Sequence, residues 1–255
     1  MRSGTLGSSV SEPAAVAERL AGVLAAVAAA AHAAGRDPAG VRIVAVTKTA
    51  PPDAVLAALD AGLADIGESY VQEARAKRRA VAARRADPGT WHLVGGLQRN
   101  KVRAAVEVFD RVHSVDSAAL AAALAAAVRG APRWTGRRLP VLIQVNVAGE
   151  RTKRGVAPDA VPALGAEVLR HAELALDGFM TIAPLGAAGE GARRHFRALR
   201  EVRERAEERL GVELPHLSMG MSDDFPVAVE EGATLLRLGR VLFGARGSGA
   251  WRPGS

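Results

Sequence analysis

Short apolar runs and longer amphipathic stretches take turns along most of this chain. The runs are rich in valine, isoleucine and leucine and have strand length. The stretches between them repeat apolar residues every three or four positions, as a helix with one buried face does. A long helix is predicted over residues 12–34, closed by Gly35 in a C-cap role. The first strand, 41–48, is a β-branched run ending on Lys48, after which Pro51 and Pro52 stop the extension and open a helix over 52–61. Further strands are predicted over 64–67, 91–94, 111–115, 139–147, 176–182, 216–219 and 234–238. Helices fall between them, over 70–85, 98–108, 117–129, 158–171, 190–210 and 224–231. Ser69 with Gln72 fits a capping box for the helix at 70–85, and Asp116 is the expected N-cap of the one at 117–129.

Eight apolar strands, each but the last followed by a helix, imply a parallel sheet, and eight such units close a barrel. The predicted fold class is therefore α/β, a single (β/α)8 TIM barrel over residues 11–246 with an extra N-terminal helix. The Ser/Gly-rich ends, 1–10 and 247–255, are expected to be disordered. An open doubly wound sheet is the alternative. No composition break marks a linker, and 255 residues of which 49% are hydrophobic can fill one sizeable core.

Composition then narrows the function. The chain has no cysteine, hence neither a disulfide framework nor a thiolate metal site, and no metal-ligand spacing is visible among the six dispersed histidines. The alanine-rich stretch at 20–34 is interrupted by Gly22 and follows Glu18 and Arg19, so it is expected to be a helix rather than a signal peptide, and the lack of a long uncharged apolar run argues against a membrane span. A cytoplasmic location follows as the default. A net charge of +7 raises the question of nucleic acid. The arginines, however, are scattered and pair with glutamates at helical spacing, as in Glu201 with Arg205 and Arg203 with Glu207. Aromatics make up only 4% and do not interleave with the basic residues, so no stacking platform for nucleic acid is expected.

The candidate chemistry starts from lysine. Nearly all of the 34 basic residues are arginine, and the four lysines are Lys48, Lys77, Lys101 and Lys153. Only Lys48 ends an apolar strand; Lys77 and Lys101 sit in charged helical patterns and Lys153 in a polar loop. A desolvated lysine has its pKa pushed down, which yields the neutral amine that attacks an aldehyde to form a Schiff base. In a barrel the active site lies at the carboxyl ends of the strands. The loops after the seventh and eighth strands, Ser218-Met219-Gly220-Met221-Ser222 and Leu238-Gly239-Arg240, both look built for a phosphate, with a glycine for close backbone approach and N–H groups at a helix start. Singly, Ser222 reads as an N-cap and Gly239 as a turn glycine. Together, on the rim that carries Lys48, they favour a phosphorylated aldehyde. Asp223 and Asp224 cut against this, since acidic residues there would repel a phosphate held too near.

Five stretches of the chain resemble, in order, the pyridoxal phosphate homeostasis protein family. They are Ile43-Val44-Ala45-Val46-Thr47-Lys48-Thr49, Gly67-Glu68-Ser69-Tyr70-Val71-Gln72-Glu73, Trp91-His92-Leu93-Val94-Gly95 with Leu97-Gln98-Arg99-Asn100-Lys101, Leu217 to Asp224, and Arg237 to Gly244. The resemblance implies a barrel of the alanine racemase N-terminal domain type that holds pyridoxal 5′-phosphate (PLP) as a covalent aldimine on Lys48. It also implies a role in vitamin B6 homeostasis, in which the protein holds the cofactor and hands it on to PLP-requiring apo-enzymes without turnover; a monomer is expected. By the same resemblance, Ser222 with the Met221 backbone, and Gly239 with Arg240, would hold the phosphate, and Arg237 would face the pyridine nitrogen. A permanently charged guanidinium there disfavours ring protonation, and an unprotonated ring is a weak electron sink. Two positions depart from the pattern. Ser69 stands where asparagine is usual beside the cofactor, and Arg240 where a small hydroxyl residue is common.

A PLP-dependent amino-acid racemase is the alternative. The related racemases take a second acid/base, a tyrosine, from an additional domain, whereas the only tyrosine here is Tyr70. A third possibility is an aldolase-like lysine acting on sugar phosphates without PLP.

Overall fold

In the computed structural model, residues 13–150, 152–184, 186–244 and 251 are described. Eight parallel strands close on themselves in sequence order. They are β1 (Arg42–Val46), β2 (Asp65–Glu68), β3 (Thr90–Leu93), β4 (Arg111–Val115), β5 (Leu139–Gln144), β6 (Leu174–Met180), β7 (His216–Ser218) and β8 (Leu235–Leu238). The helices are α1 (Pro13–Ala33), α2 (Pro52–Asp60), α3 (Val71–Ala82), α4 (Val102–Val108), α5 (Ala118–Arg129), α6 (Val161–Leu169), α7 (Arg193–Leu210), α8 (Phe225–Glu230) and α9 (Arg240–Phe243). The (β/α)8 barrel with an extra N-terminal helix is as expected. Closure is direct: β1 pairs with β8, Val44 opposite Arg237 and Ala45 opposite Leu238.

Side-chain alternation along each strand divides the interior in two. Ile43, Ala45, Ile66, Trp91, Leu93, Val112, Leu236 and Leu238 point outward and join the helices in one large apolar core. Inside the barrel the apolar filling is small, consisting of Val44, Val94, Leu142, Met180 and Leu235 with Val46 packed on them. The rest of the lumen is polar. At the amino end Arg42 lies 3.9 Å from Asp65 and Arg111 3.2 Å from Asp177, an ionic floor beneath the aliphatic layer. Where β6 meets β7 the backbones nearly touch: a Cβ on Gly178, whose φ is 143°, would fall 1.9 Å from the His216 carbonyl oxygen.

α1, even with Glu18 and Arg19 in it, is long and apolar enough to cross a bilayer by length and composition. Its Val16, Leu20, Val23, Val27, Ala30 and Ala31 are nevertheless buried, and it packs on α8, α2 and α9. Local signals differ from expectation in several places. Ser117, not Asp116, caps α5, its hydroxyl accepting from the Leu120 N–H. The Ser69–Gln72 capping box does not form; Tyr70 is the N-cap of α3 and makes no side-chain bond there. β1 stops at Val46, two residues short of Lys48, and β5 stops at Gln144. β8, expected to end the barrel without a helix, leads directly into the one-turn α9. The stretches expected to be disordered, 1–10 and 247–255, lie outside the described residues apart from Trp251. The Trp251 N–H donates to the Thr49 carbonyl at 2.9 Å.

Candidate functional site

Lys48 lies just past the end of β1, half-buried, in step with Arg42, Val44 and Val46 along the strand alternation. The turn that carries it is held from several sides. Thr49 has a φ of 66°, unusual for a β-branched residue, and its N–H donates to Glu73 Oε1. Beneath the turn lies a buried ion cluster. Lys77 Nζ, fully buried, donates to the Thr47 carbonyl at 2.6 Å, Glu68 Oε1 at 2.7 Å and Glu73 Oε1 at 2.6 Å. Thr47 Oγ1 donates to Glu68 Oε1 at 2.6 Å, and the Trp251 ring lies 5.3 Å from Lys77 Nζ. Burial raises the Glu68 pKa to about 7, although Lys77 and Thr47 pull it the other way. Its second oxygen, Oε2, has no hydrogen-bond partner.

The charged helical pattern around Lys77 does not by itself announce this burial. The sequence carried a faint signal otherwise: Glu73 and Lys77 are four apart, beside the apolar Val71, Ala74 and Val81 that α3 buries.

The loops after β7 and β8 meet on the same rim. The Ser222 hydroxyl accepts from the Val241 N–H at 3.2 Å and so joins the two loops, leaving its own proton to donate. Ser222 is not the cap of α8; Asp224 is. Asp224 Oδ1 also takes the Met221 N–H at 2.6 Å, which occupies one expected phosphate donor, and the Met221 side chain is exposed. Burial raises the Asp224 pKa, against the Met221 bond and Arg237. Gly239 sits close to β1, where a Cβ would lie 3.2 Å from the Val46 carbonyl oxygen. Arg240 is exposed and paired with Asp223. Ser69 is half-buried, and its carbonyl oxygen would lie 2.5 Å from a Cβ on Gly95, so the loop after β3 packs directly on it.

Arg237, in the middle of β8, points into the lumen and is 5% exposed. It donates through NH1 to Ser218 Oγ at 2.7 Å and through NH2 to the Thr181 carbonyl at 2.8 Å. Burial pushes its pKa down to about 10, partly offset by Asp224, so it remains a cation at neutral pH. Below it two histidines from neighbouring strands, His92 and His113, meet edge to face with ring centroids 5.1 Å apart. His113 Nδ1 lies 2.9 Å from Ser218 Oγ, His113 Nε2 2.9 Å from His92 Nδ1, and His92 Nε2 2.8 Å from Asp65 Oδ1. His113, in the middle of β4, is fully buried. Spacing in a single sequence could not pair it with His92, because the register between β3 and β4, with His92 opposite Arg111, is set only when the strands pair. Among the described residues, no group of three His, Cys, Asp or Glu side chains is disposed to hold a metal ion.

Lys48 and the loops carrying Ser222, Gly239 and Arg240 thus share one rim, and Arg237 stands in the lumen on the strand beside β1. The chain matches the family model for the alanine racemase N-terminal domain over residues 24–247. It is 44% identical over 236 residues to a pyridoxal phosphate homeostasis protein of Pseudomonas aeruginosa, covering 92% of this chain and 97% of that one. With the protein of the same name from Aquifex aeolicus it shares 38% over 229 residues, 90% and 97% of the two chains. Among solved structures, PipY of Synechococcus elongatus with PLP bound superposes with a TM-score of 0.76 at 36% identity, covering 90% of this chain and all of that one.

Proposed function

The chain belongs to the pyridoxal phosphate homeostasis proteins, within the alanine racemase N-terminal domain family, and we propose that it binds PLP at the barrel mouth, with Lys48 as the amine that takes the aldehyde, and holds the cofactor for transfer to PLP-requiring apo-enzymes. When bound, PLP supplies an aldehyde open to amines and a ring that withdraws electrons once its nitrogen is protonated. The residues present fit such a molecule. Ser222 and the backbone around Gly239 offer neutral donors to a phosphate, Arg240 adds charge, and a buried arginine faces the lumen. The observation that carries the reading is the β1–β8 closure, which sets Lys48, Arg237 and the Ser222–Gly239 loops side by side.

Arg237 also argues for holding rather than turnover. It has no proton acceptor to offer and its charge disfavours protonation of a neighbouring ring nitrogen, so the site binds the cofactor while leaving it a weak electron sink. Incubation of the full chain with PLP, followed by desalting, should leave a near-visible absorbance band. Borohydride should fix one PLP per chain, and peptide mapping should place it on Lys48. Lys48→Ala should lose both. A colourless wild-type chain, or label on Lys101 or Lys153 instead, would overturn the reading. Racemisation of amino acids well above the rate of free PLP would overturn the non-catalytic part and favour the racemase.

A further inference from the structure

The hydrogen bonds beneath Arg237 form an unbranched series from the floor of the barrel to the mouth: Asp65, His92, His113, Ser218, Arg237. The two ends fix its direction. A guanidinium only donates, so Ser218 Oγ accepts from it on one lone pair; the other contact is set from the Asp65 end, where neutral rings leave His113 Nδ1 bare and the serine proton points at it. His113 then carries its proton on Nε2 and donates to His92 Nδ1, and His92 carries its proton on Nε2 and donates to Asp65. A carboxylate only accepts, so the series ends there without conflict. Reversing any one link would set two donors or two bare acceptors face to face in a site where His92, His113 and Ser218 are fully buried.

The surroundings keep this arrangement in place. Burial would raise the Asp65 pKa, but the His92 bond with Arg42 and Arg111 nearby brings it below the ordinary value, so Asp65 stays an acceptor. Burial, with Arg42 and Arg111, lowers the His92 pKa despite Asp65, and burial with His92, Arg237 and Arg111 puts that of His113 well below the ordinary value. Both shifts favour the neutral rings that the bonding series requires, with the contact between His92 and Asp65 a hydrogen bond.

We propose that Asp65, His92, His113 and Ser218 are positioning residues for Arg237: a one-directional relay that locks the NH1 edge of the guanidinium, while the Thr181 carbonyl locks NH2, so that its remaining N–H groups face the ring nitrogen of bound PLP. This rests on the PLP reading above. The relay gives the two buried histidines of the lumen a role: they link the carboxylate at its floor to the guanidinium near its mouth. A guanidinium without it would have to find another acceptor or swing away from the ring.

Two measurements on the full chain test the proposal. Long-range proton–nitrogen correlation spectra of 15N-histidine-labelled protein, assigned with single His variants, should show His92 and His113 as neutral Nε2–H tautomers between about pH 6 and 8. An Nδ1–H tautomer or a cationic ring at either position overturns the direction of the relay. A double-mutant cycle on PLP affinity tests its purpose. Ser218→Ala should weaken PLP binding roughly five- to twentyfold. In an Arg237→Ala background the same change should matter less than about twofold, because no guanidinium remains to be placed. Equal losses in both backgrounds would mark Ser218 as merely structural and overturn the proposal. If Ser218→Ala does not fold, His113→Leu against His113→Gln serves instead. Glutamine can still donate at one end and accept at the other, so it should bind PLP more tightly than leucine does; equal affinities would count against the relay. A wild-type chain that does not bind PLP refutes the cofactor reading itself, whereas a binding wild type with an additive cycle refutes only the relay.

Discussion

Replacing Lys77 with methionine isolates the cluster under the lysine-bearing turn. The side chain is fully buried and bonds two carboxylates and one carbonyl, with the Trp251 ring 5.3 Å from its Nζ. Methionine keeps most of the volume but leaves Glu68 and Glu73 facing each other and the Thr47 carbonyl without its donor. Removing one partner from a buried ionic cluster costs roughly 3–5 kcal/mol. For a chain of this size that is a fall in melting temperature of about 6–20 °C. The pH dependence carries more information than the size. In the wild type, Glu68 has a folded pKa of about 7 against an ordinary 4.5, so the folded state binds extra proton between those values. Stability from this group therefore falls as pH rises through that window and levels off above it. Without Lys77 the two carboxylates must share a proton to higher pH, and stability should go on falling above pH 7, by up to about 1.4 kcal/mol per pH unit for each proton retained. Urea denaturation of both proteins across this range reads the difference directly. A Lys77→Met chain that loses less than about 1 kcal/mol, with a pH profile parallel to the wild type, would show that the cluster contributes nothing the turn requires.

Three further outcomes follow from the same geometry. Gly178→Ala should cost roughly 3 kcal/mol or more, since the new Cβ meets a carbonyl oxygen, while Gly211→Ala, with φ 67° and open space around it, should cost only ~1–2 kcal/mol; denaturation midpoints of the pair test this. Asp223→Asn should change stability by less than ~0.5 kcal/mol, because its pair with Arg240 is exposed, yet tighten PLP binding about two- to fivefold at low salt, with the gain shrinking as salt is added. Glu231 joins Arg193, Arg197 and Arg200; burial would raise its pKa, but Arg197 and Arg193 bring it below the ordinary value. Its contribution is thus present above about pH 4.5 and lost as pH falls through the folded pKa, so Glu231→Gln should cost roughly 1–3 kcal/mol at neutral pH and little in acid.

The sequence by itself determined the architecture. Strand-length apolar runs alternating with amphipathic stretches leave few packings for the chain, and eight such units close a barrel, which in turn puts residues that follow strands on one rim. That logic reached Lys48, Ser222 and Gly239 because each lies just after a strand, where local pattern and chain order suffice. It failed where neighbours come from distant strands. Lys77 read only as part of a charged helical pattern, and its burial depends on Glu68 and the Thr47 carbonyl, which arrive from β2 and the end of β1; the bond between the Ser222 hydroxyl and the Val241 N–H likewise depends on where α9 turns. His92, His113 and Ser218 are separated by 21 and 105 residues. Only the closed sheet brings them together, and only burial forces each to satisfy the next, so the polar column under Arg237 belongs to the tertiary structure alone.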